Sequence, residues 1–193
     1  MRLLLIADNE HPALAEHLSR ERFGHIDAII CAGDLPDDYL DRVITTFACP
    51  GFHVRGNHDA GVQAGGWTNL HGRFVTFGPL RLVGYEGCRR YSPNNRVQST
   101  DGEMWQTVIK TLLRWWLKKP DIVVTHAPPL GIHDGEDHAH IGFKAFRWLL
   151  QRFQPAFWIH GHQHLAYNPL ANRIDKAGAT TIINADGYYI LEV

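Results

Sequence analysis

The chain has 193 residues, a formal net charge of −1, 45% apolar residues and 20% charged residues. This is the profile of one soluble globular domain, residues 1–193, with a sizeable core. The balance gives no global pull toward nucleic acid or an anionic membrane, and no apolar run approaches the length of a membrane-spanning helix. Cys31, Cys49 and Cys88 are odd in number and widely spaced, so they suggest neither a disulfide framework nor a zinc ribbon. A reducing, cytoplasmic setting is expected. The opening run Leu3–Ala7 is too short for a signal peptide and ends in Asp8.

Leu3 to Asp8 is continuously apolar up to its last residue, as a strand buried on both faces is. Pro12 suits the first turn of a helix running to about Phe23. A second buried strand covers Ile26 to Cys31. A helix follows from Pro36 to Ala48, with acidic residues in its first turn. Phe52 to Arg55 is a short strand, and residues 60–72 are a Gly-rich loop. Arg73–Phe77 and Leu80–Tyr85 alternate about Gly78-Pro79 as a hairpin. Residues 86–100 form a polar loop long enough to suggest function. Asp101 is expected to cap a helix to about Lys118. Ile122–Thr125 is a strand, 131–141 a polar loop, Phe143–Phe153 an amphipathic helix and Phe157–His160 a strand. Thr180–Asn184 and Tyr188–Val193 read as a hairpin turned at Asp186-Gly187. Strands alternating with helices, then pairing as hairpins, point to sheets covered by helices.

Histidine is over-represented, at 13 residues. Several of these histidines fall, with Asp and Asn, just after the apolar runs: Asp8-Asn9-Glu10, Gly33-Asp34, Gly56-Asn57-His58-Asp59, Thr125-His126 and Gly161-His162-Gln163-His164. Strand ends can converge on one edge of a sheet, where α/β proteins place their sites. Oxygen and imidazole donors without cysteine suit divalent ions used in catalysis rather than in structure. Two ions about 3.5–4 Å apart can clamp the attacking and leaving oxygens of a phosphoryl centre.

These groups, in this order and separation, resemble the calcineurin-like metallophosphoesterase superfamily. The resemblance covers residues 3–193. It implies a four-layer α/β/β/α sandwich of two mixed sheets with helices outside. It also implies two divalent ions, Mn²⁺ first and Fe, Zn²⁺ or Mg²⁺ as the other candidates. Asp34 would bridge them; Asp8, position 10 and His164 would complete one ion, and Asn57, His126 and His162 the other. His58 would act as general acid, oriented by Asp59, while a hydroxide held between the ions attacks in line. The segments Asn69–Arg73, Gly87–Tyr91, His126–Gly131 and Ile182–Asn184 narrow the resemblance to a small single-domain branch whose members tend to cleave phosphodiesters, cyclic nucleotides among them.

One position departs from the family pattern. Where the family has Asp-x-His, this chain has Asp8-Asn9-Glu10, with His11 one residue late. A one-residue shift on an extended strand points a side chain to the other face. Glu10 is therefore the better candidate ligand, and its oxygen could bind Mn²⁺ or Zn²⁺ at about 2.0–2.2 Å. A third carboxylate would make the centre less positive and would penalise dianionic monoesters relative to diesters. Arg89 and Arg90 are candidates for a substrate phosphate or base edge, and Trp67 for stacking on the leaving group.

The reading reached is a metal-dependent phosphodiesterase acting on a small diester, nucleotide-derived substrates included. Related domains often form homo-oligomers. A phosphomonoesterase with the same metals, or a non-catalytic protein-binding scaffold on the same fold, are the alternatives. A DNA nuclease ranks low because such enzymes usually carry extra domains and basic surfaces to grip the phosphate backbone, whereas this chain is short and nearly neutral.

Overall fold

The structure is a computed structural model, and it describes residues 1–59, 65–167 and 172–193. The strands are β1 Arg2–Ala7, β2 Ala28–Cys31, β3 Gly51–His53, β4 Trp67–Asn69, β5 Phe74–Phe77, β6 Leu80–Tyr85, β7 Ile122–Thr125, β8 Phe157–His160, β9 Ile174–Ala177, β10 Thr180–Asn184 and β11 Gly187–Glu192. The helices are α1 Pro12–Ala15, α2 Arg20–Phe23, α3 Asp37–Phe47, α4 Asp101–Arg114 and α5 Lys144–Phe153. One 5-stranded sheet runs in the order β11-β1-β2-β3-β4, and a 6-stranded sheet runs β5-β6-β7-β8-β10-β9.

Both sheets are mixed, with parallel strands inside. Strands β1 to β4 pair in parallel and β11 closes that sheet antiparallel. In the second sheet β6, β7, β8 and β10 are parallel, flanked by antiparallel β5 and β9. The parallel strands carry near-continuous apolar runs because both faces are covered. Leu3, Leu5 and Ile30 face Leu82, Val124, Ile159 and Ile183 in the core between the sheets. The alternate residues Leu4, Ile6 and Ile29 pack outward on Tyr39, Leu40 and Val43 of α3. On the far side Val83, Val123 and Trp158 meet Val108 of α4 and Phe146 of α5. Alternation at period two thus builds all three interfaces of the four-layer sandwich.

Several local readings change. The helix expected to run from Pro12 to Phe23 is two short pieces, because Ser19 takes an extended conformation and caps a new start at Arg20, its side chain accepting from Arg22 N–H. Helix α4 is capped by Thr100 rather than Asp101, in a reciprocal pair with Glu103, and it ends at Arg114 before Trp116 and Leu117 adopt positive φ. The Gly-rich loop holds β4, and its residues 60–64 lie outside the described ones.

The C-terminal hairpin does not form. β10 stays in the second sheet between β8 and β9, while β11 crosses to pair with β1. Asp186-Gly187 is the crossing point between layers, and β9, which the sequence reading missed, is the true hairpin partner of β10. Among the described residues no helix is long and apolar enough to cross a membrane.

Truncating Leu82, fully enclosed between the sheets, to alanine should cost about 2–5 kcal/mol. Leu113→Ala, at a residue 64% exposed on α4, should change stability by less than about 0.5 kcal/mol. Urea melts of the two variants beside the wild type check the pair.

Candidate metal centre

Five parallel strands deliver their C-terminal ends to one edge of the sandwich. Asp8 follows β1, Asp34 follows β2, the Asn57 loop follows β3, His126 follows β7 and His162 follows β8. Backbone bonds tie neighbouring ends within each sheet: Asp8 N–H donates to the Gly33 carbonyl and Gly161 N–H to the His126 carbonyl, each at 3.0 Å. Asp8 (φ 61°), Asp34 (φ 58°) and His162 (φ 70°) all lie in the left-handed region. That region is uncommon for residues other than glycine and tends to be kept where function needs it.

Ligand atoms of Asp8, Asp34 and His126 lie within 4.8 Å of one another. The His126 ring is fully buried. Its Nδ1–H donates to the Ala32 carbonyl at 2.8 Å, so Nε2 of the neutral ring is a lone pair. That atom faces Asn57 Oδ1 at 3.0 Å and Asp34 Oδ2 at 3.2 Å. The Asn57 amide nitrogen donates to Tyr91 Oη at 3.1 Å, which turns its oxygen inward. Three acceptor atoms facing one another need a proton or a cation among them. These residues therefore fit a divalent ion.

The electrostatics carry the same mark. Burial pushes the Asp8 carboxyl up to about 7, against the pull of His126. Burial also opposes ionisation of Asp34, but His126 beside it and the His58 backbone N–H hold it down at about 2. Desolvation would lower His126, yet the Asp34 carboxylate outweighs it and raises the ring to about 9. The proton so held is what a divalent ion would displace on binding. His162, desolvated and beside His126 at 4.9 Å between ring centroids, is lowered to about 3.

The remaining expected residues divide. His58 is exposed at the rim, and its backbone N–H donates to Asp34 Oδ1 at 2.8 Å. Asp59 does not show the expected pairing with the His58 ring. Its Oδ2 accepts from Asp34 N–H at 2.7 Å and Gly56 N–H at 2.8 Å, so it pins two ligand loops together. His162 lies beside the cluster with Nε2 on the Ala139 carbonyl at 2.9 Å, and His164 Nδ1 lies 3.1 Å from the Asn9 amide nitrogen.

Four expected residues are not brought in. The Glu10 carboxylate turns outward to Arg42 at 3.5 Å. Trp67 is buried in the core beneath α3 and cannot stack on a leaving group. Arg89 pairs with Asp101 at 3.2 Å and Arg90 with Glu103 at 2.9 Å, anchoring the 86–100 loop to the start of α4.

That loop acts through residues to which the sequence reading gave no role at the site. Tyr91 and Asn95 hold Asn57, the latter by donating to its backbone carbonyl at 2.7 Å. The available signal was the length and polarity of the loop, which gave no partner.

A family model described as calcineurin-like phosphoesterase matches residues 1–166. The chain belongs to the calcineurin-like phosphoesterases. Phosphoester hydrolysis supported by divalent metal is the reaction class of that family, with small phosphoesters as substrates. Over 77 residues the chain is 35% identical to UPF0046 protein K07C11.7 of Caenorhabditis elegans, a match spanning 38% of this chain and 25% of that protein. The fold is similar to TT1561 of Thermus thermophilus (TM-score 0.66, 15% identity, 96% of this chain and 88% of that one). It is also similar to the phosphopantetheinyl hydrolase PptH of Mycobacterium tuberculosis (TM-score 0.61, 16% identity, 95% and 88%).

Two substitutions test this calcineurin-like centre. A Cβ at Gly56 would lie 2.0 Å from Asp34 Oδ1 and 2.7 Å from the His126 ring, so Gly56→Ala should abolish stoichiometric metal uptake, read by elemental analysis. Tyr91→Phe deprives the Asn57 amide of its acceptor and should weaken metal binding by about 10–100-fold, read by calorimetric titration with Mn²⁺.

Proposed function

We propose that this chain is a metal-dependent phosphodiesterase. The observation that carries the reading is the convergence of Asp34 Oδ2, Asn57 Oδ1 and His126 Nε2, with Asp8 beside them and the exposed His58 at the rim. Asp8, Asp34, Asn57 and His126 are the proposed core ligands, and His162 and His164 complete the surroundings. Mn²⁺ is the preferred ion on the hard-to-borderline character of these donors. A divalent ion on these residues supplies Lewis acidity and an activated water.

The protein's own groups do the rest. His58 is the proposed general acid, giving its proton to the leaving oxygen. Its backbone bond to Asp34 fixes the imidazole's root to the ligand that would carry the ion, so acid and phosphorus keep a set separation. Asp59, clamping the Asp34 and Gly56 loops, is the proposed positioning residue for both.

The preference for diesters rests on charge. Arg55 is held bidentate by Glu86 at 2.8 Å, and Arg89 and Arg90 are held by Asp101 and Glu103. None of these three guanidiniums is left to neutralise the second charge of a phosphomonoester. A monoanionic diester needs less compensation beside Asp8 and Asp34.

With Mn²⁺, bis-p-nitrophenyl phosphate should be cleaved faster than p-nitrophenyl phosphate, and chelator should abolish both. His58→Ala should lower the rate by about 10²–10⁴-fold while leaving bound metal unchanged. The loss should be larger for a diester with an alkyl leaving group, which needs the proton more. Faster cleavage of the monoester, or a variant as active as the wild type, would refute the respective part.

A further inference from the structure

The turn that follows β1 bears on how many ions the centre holds. In an undisturbed strand Asp8 and Glu10 would share a face. Here Asp8 is left-handed and Asn9 N–H reaches back to the Ala7 carbonyl at 2.6 Å, so the pleat is broken at this point. Glu10 turns to Arg42 on α3. His11 is occupied as well: its Nδ1 accepts from Ala13 N–H at 3.1 Å as the cap of α1, and its ring stands edge-on to Tyr188 at 4.7 Å.

The side chain that faces the His164 side of the centre is Asn9. Its Nδ2 donates to Asp186 Oδ1 at 2.5 Å and lies 3.1 Å from His164 Nδ1. A carboxylate can be met only by the nitrogen of an amide, so Asp186 fixes which end of Asn9 points this way. An amide NH₂ offers a cation no lone pair. Asp186 is spoken for too, since its Oδ2 accepts from Leu165 N–H at 2.8 Å.

We propose that the centre holds one divalent ion firmly, on Asp34, Asn57 and His126 with Asp8 beside them, and a second ion only weakly. The proposal rests on the phosphoesterase reading of the site. A second ion would find Asp8, the already shared Asp34, and a His164 that must first release Asn9. Disrupted support of a ligand by its neighbours costs about 10–100-fold in affinity, and a missing ligand adds to that. The second ion should therefore bind at least about a hundredfold more weakly than the first.

The full chain, stripped with chelator, reloaded with Mn²⁺ and desalted, should retain one Mn²⁺ by elemental analysis. Its paramagnetic resonance spectrum should be that of an isolated ion rather than of an exchange-coupled pair. Glu10→Ala should retain the same single ion. Asn9→Asp puts a carboxylate where the amide nitrogen stands and should raise the content to two, with the coupled spectrum. Two ions retained by the wild type, metal lost with Glu10→Ala, or one ion still in Asn9→Asp would each overturn the proposal. Ester hydrolysis is read separately, so a chain that retains one ion but cleaves no diester would refute the function and leave this inference standing.

Discussion

Asp34 is the residue on which the rest of the centre depends. Its Oδ1 accepts from His58 N–H, its Oδ2 meets His126 Nε2, and its own N–H is held by Asp59. One side chain thus ties the end of β2 in the first sheet to the end of β7 in the second and to the loop after β3. A carboxylate so placed is kept ionised although largely buried, because the charge it meets on His126 outweighs the loss of water. The same pairing that holds the layers together at this edge gathers the acceptors that fit a cation.

That gathering requires the strand ends to come unusually close. A Cβ at Gly161 would fall 2.7 Å from Asp8 Oδ2 and 2.9 Å from Ala7 Cβ. Bare backbone at this position lets His162 N–H donate to both Asp8 carboxylate oxygens at 3.0 Å. The left-handed conformations of Asp8, Asp34 and His162 belong to the same economy of space. Each turns the chain sharply at a strand end, so the side chain leaves the core and faces the neighbouring sheet. Strain of this kind persists only where the surroundings over-determine it, and here two packed sheets do.

The buried parallel strands were legible in the sequence because their signal is local: a continuous apolar run ended by a polar group. Asp34, Asn57 and His126 were legible for the same reason, each standing at or just beyond the end of such a run. What could not be read depends on partners distant in the chain. Thr180–Asn184 and Tyr188–Val193 look like a hairpin about Asp186-Gly187, and only the pairing of β11 with β1, which sets Glu192 opposite Arg2 at the far end of the chain, shows that the turn crosses between sheets. Trp67 lies in a Gly-rich stretch that reads as exposed, yet β4 adds to the edge of the first sheet and buries the indole. Arg89 and Arg90 look like phosphate ligands until α4 supplies Asp101 and Glu103. Glu10 failed for a different reason. Counting alternate residues assumes an unbroken pleat, and the pleat breaks at Asp8.

The arginine pairings bear on how the centre could discriminate between substrates. An exposed ion pair contributes little to stability, about 0–1 kcal/mol, so the Arg90–Glu103 pair is poorly explained as stabilising the fold alone, and the half-buried Arg89–Asp101 pair stands beside it on the same loop. Their effect is positional. By fastening the 86–100 loop to α4 they hold Tyr91 against the Asn57 amide, and Tyr91 Oη, accepting from Asn57, keeps its own proton to donate. Tyr91 is 44% exposed beside Asn57, so its hydroxyl is a candidate donor to a bound substrate. A neutral donor at this place suits a monoanionic phosphate oxygen, whereas a free guanidinium there would favour a dianion. The loop therefore supports the diester reading through what its arginines are prevented from touching as much as through what its tyrosine holds.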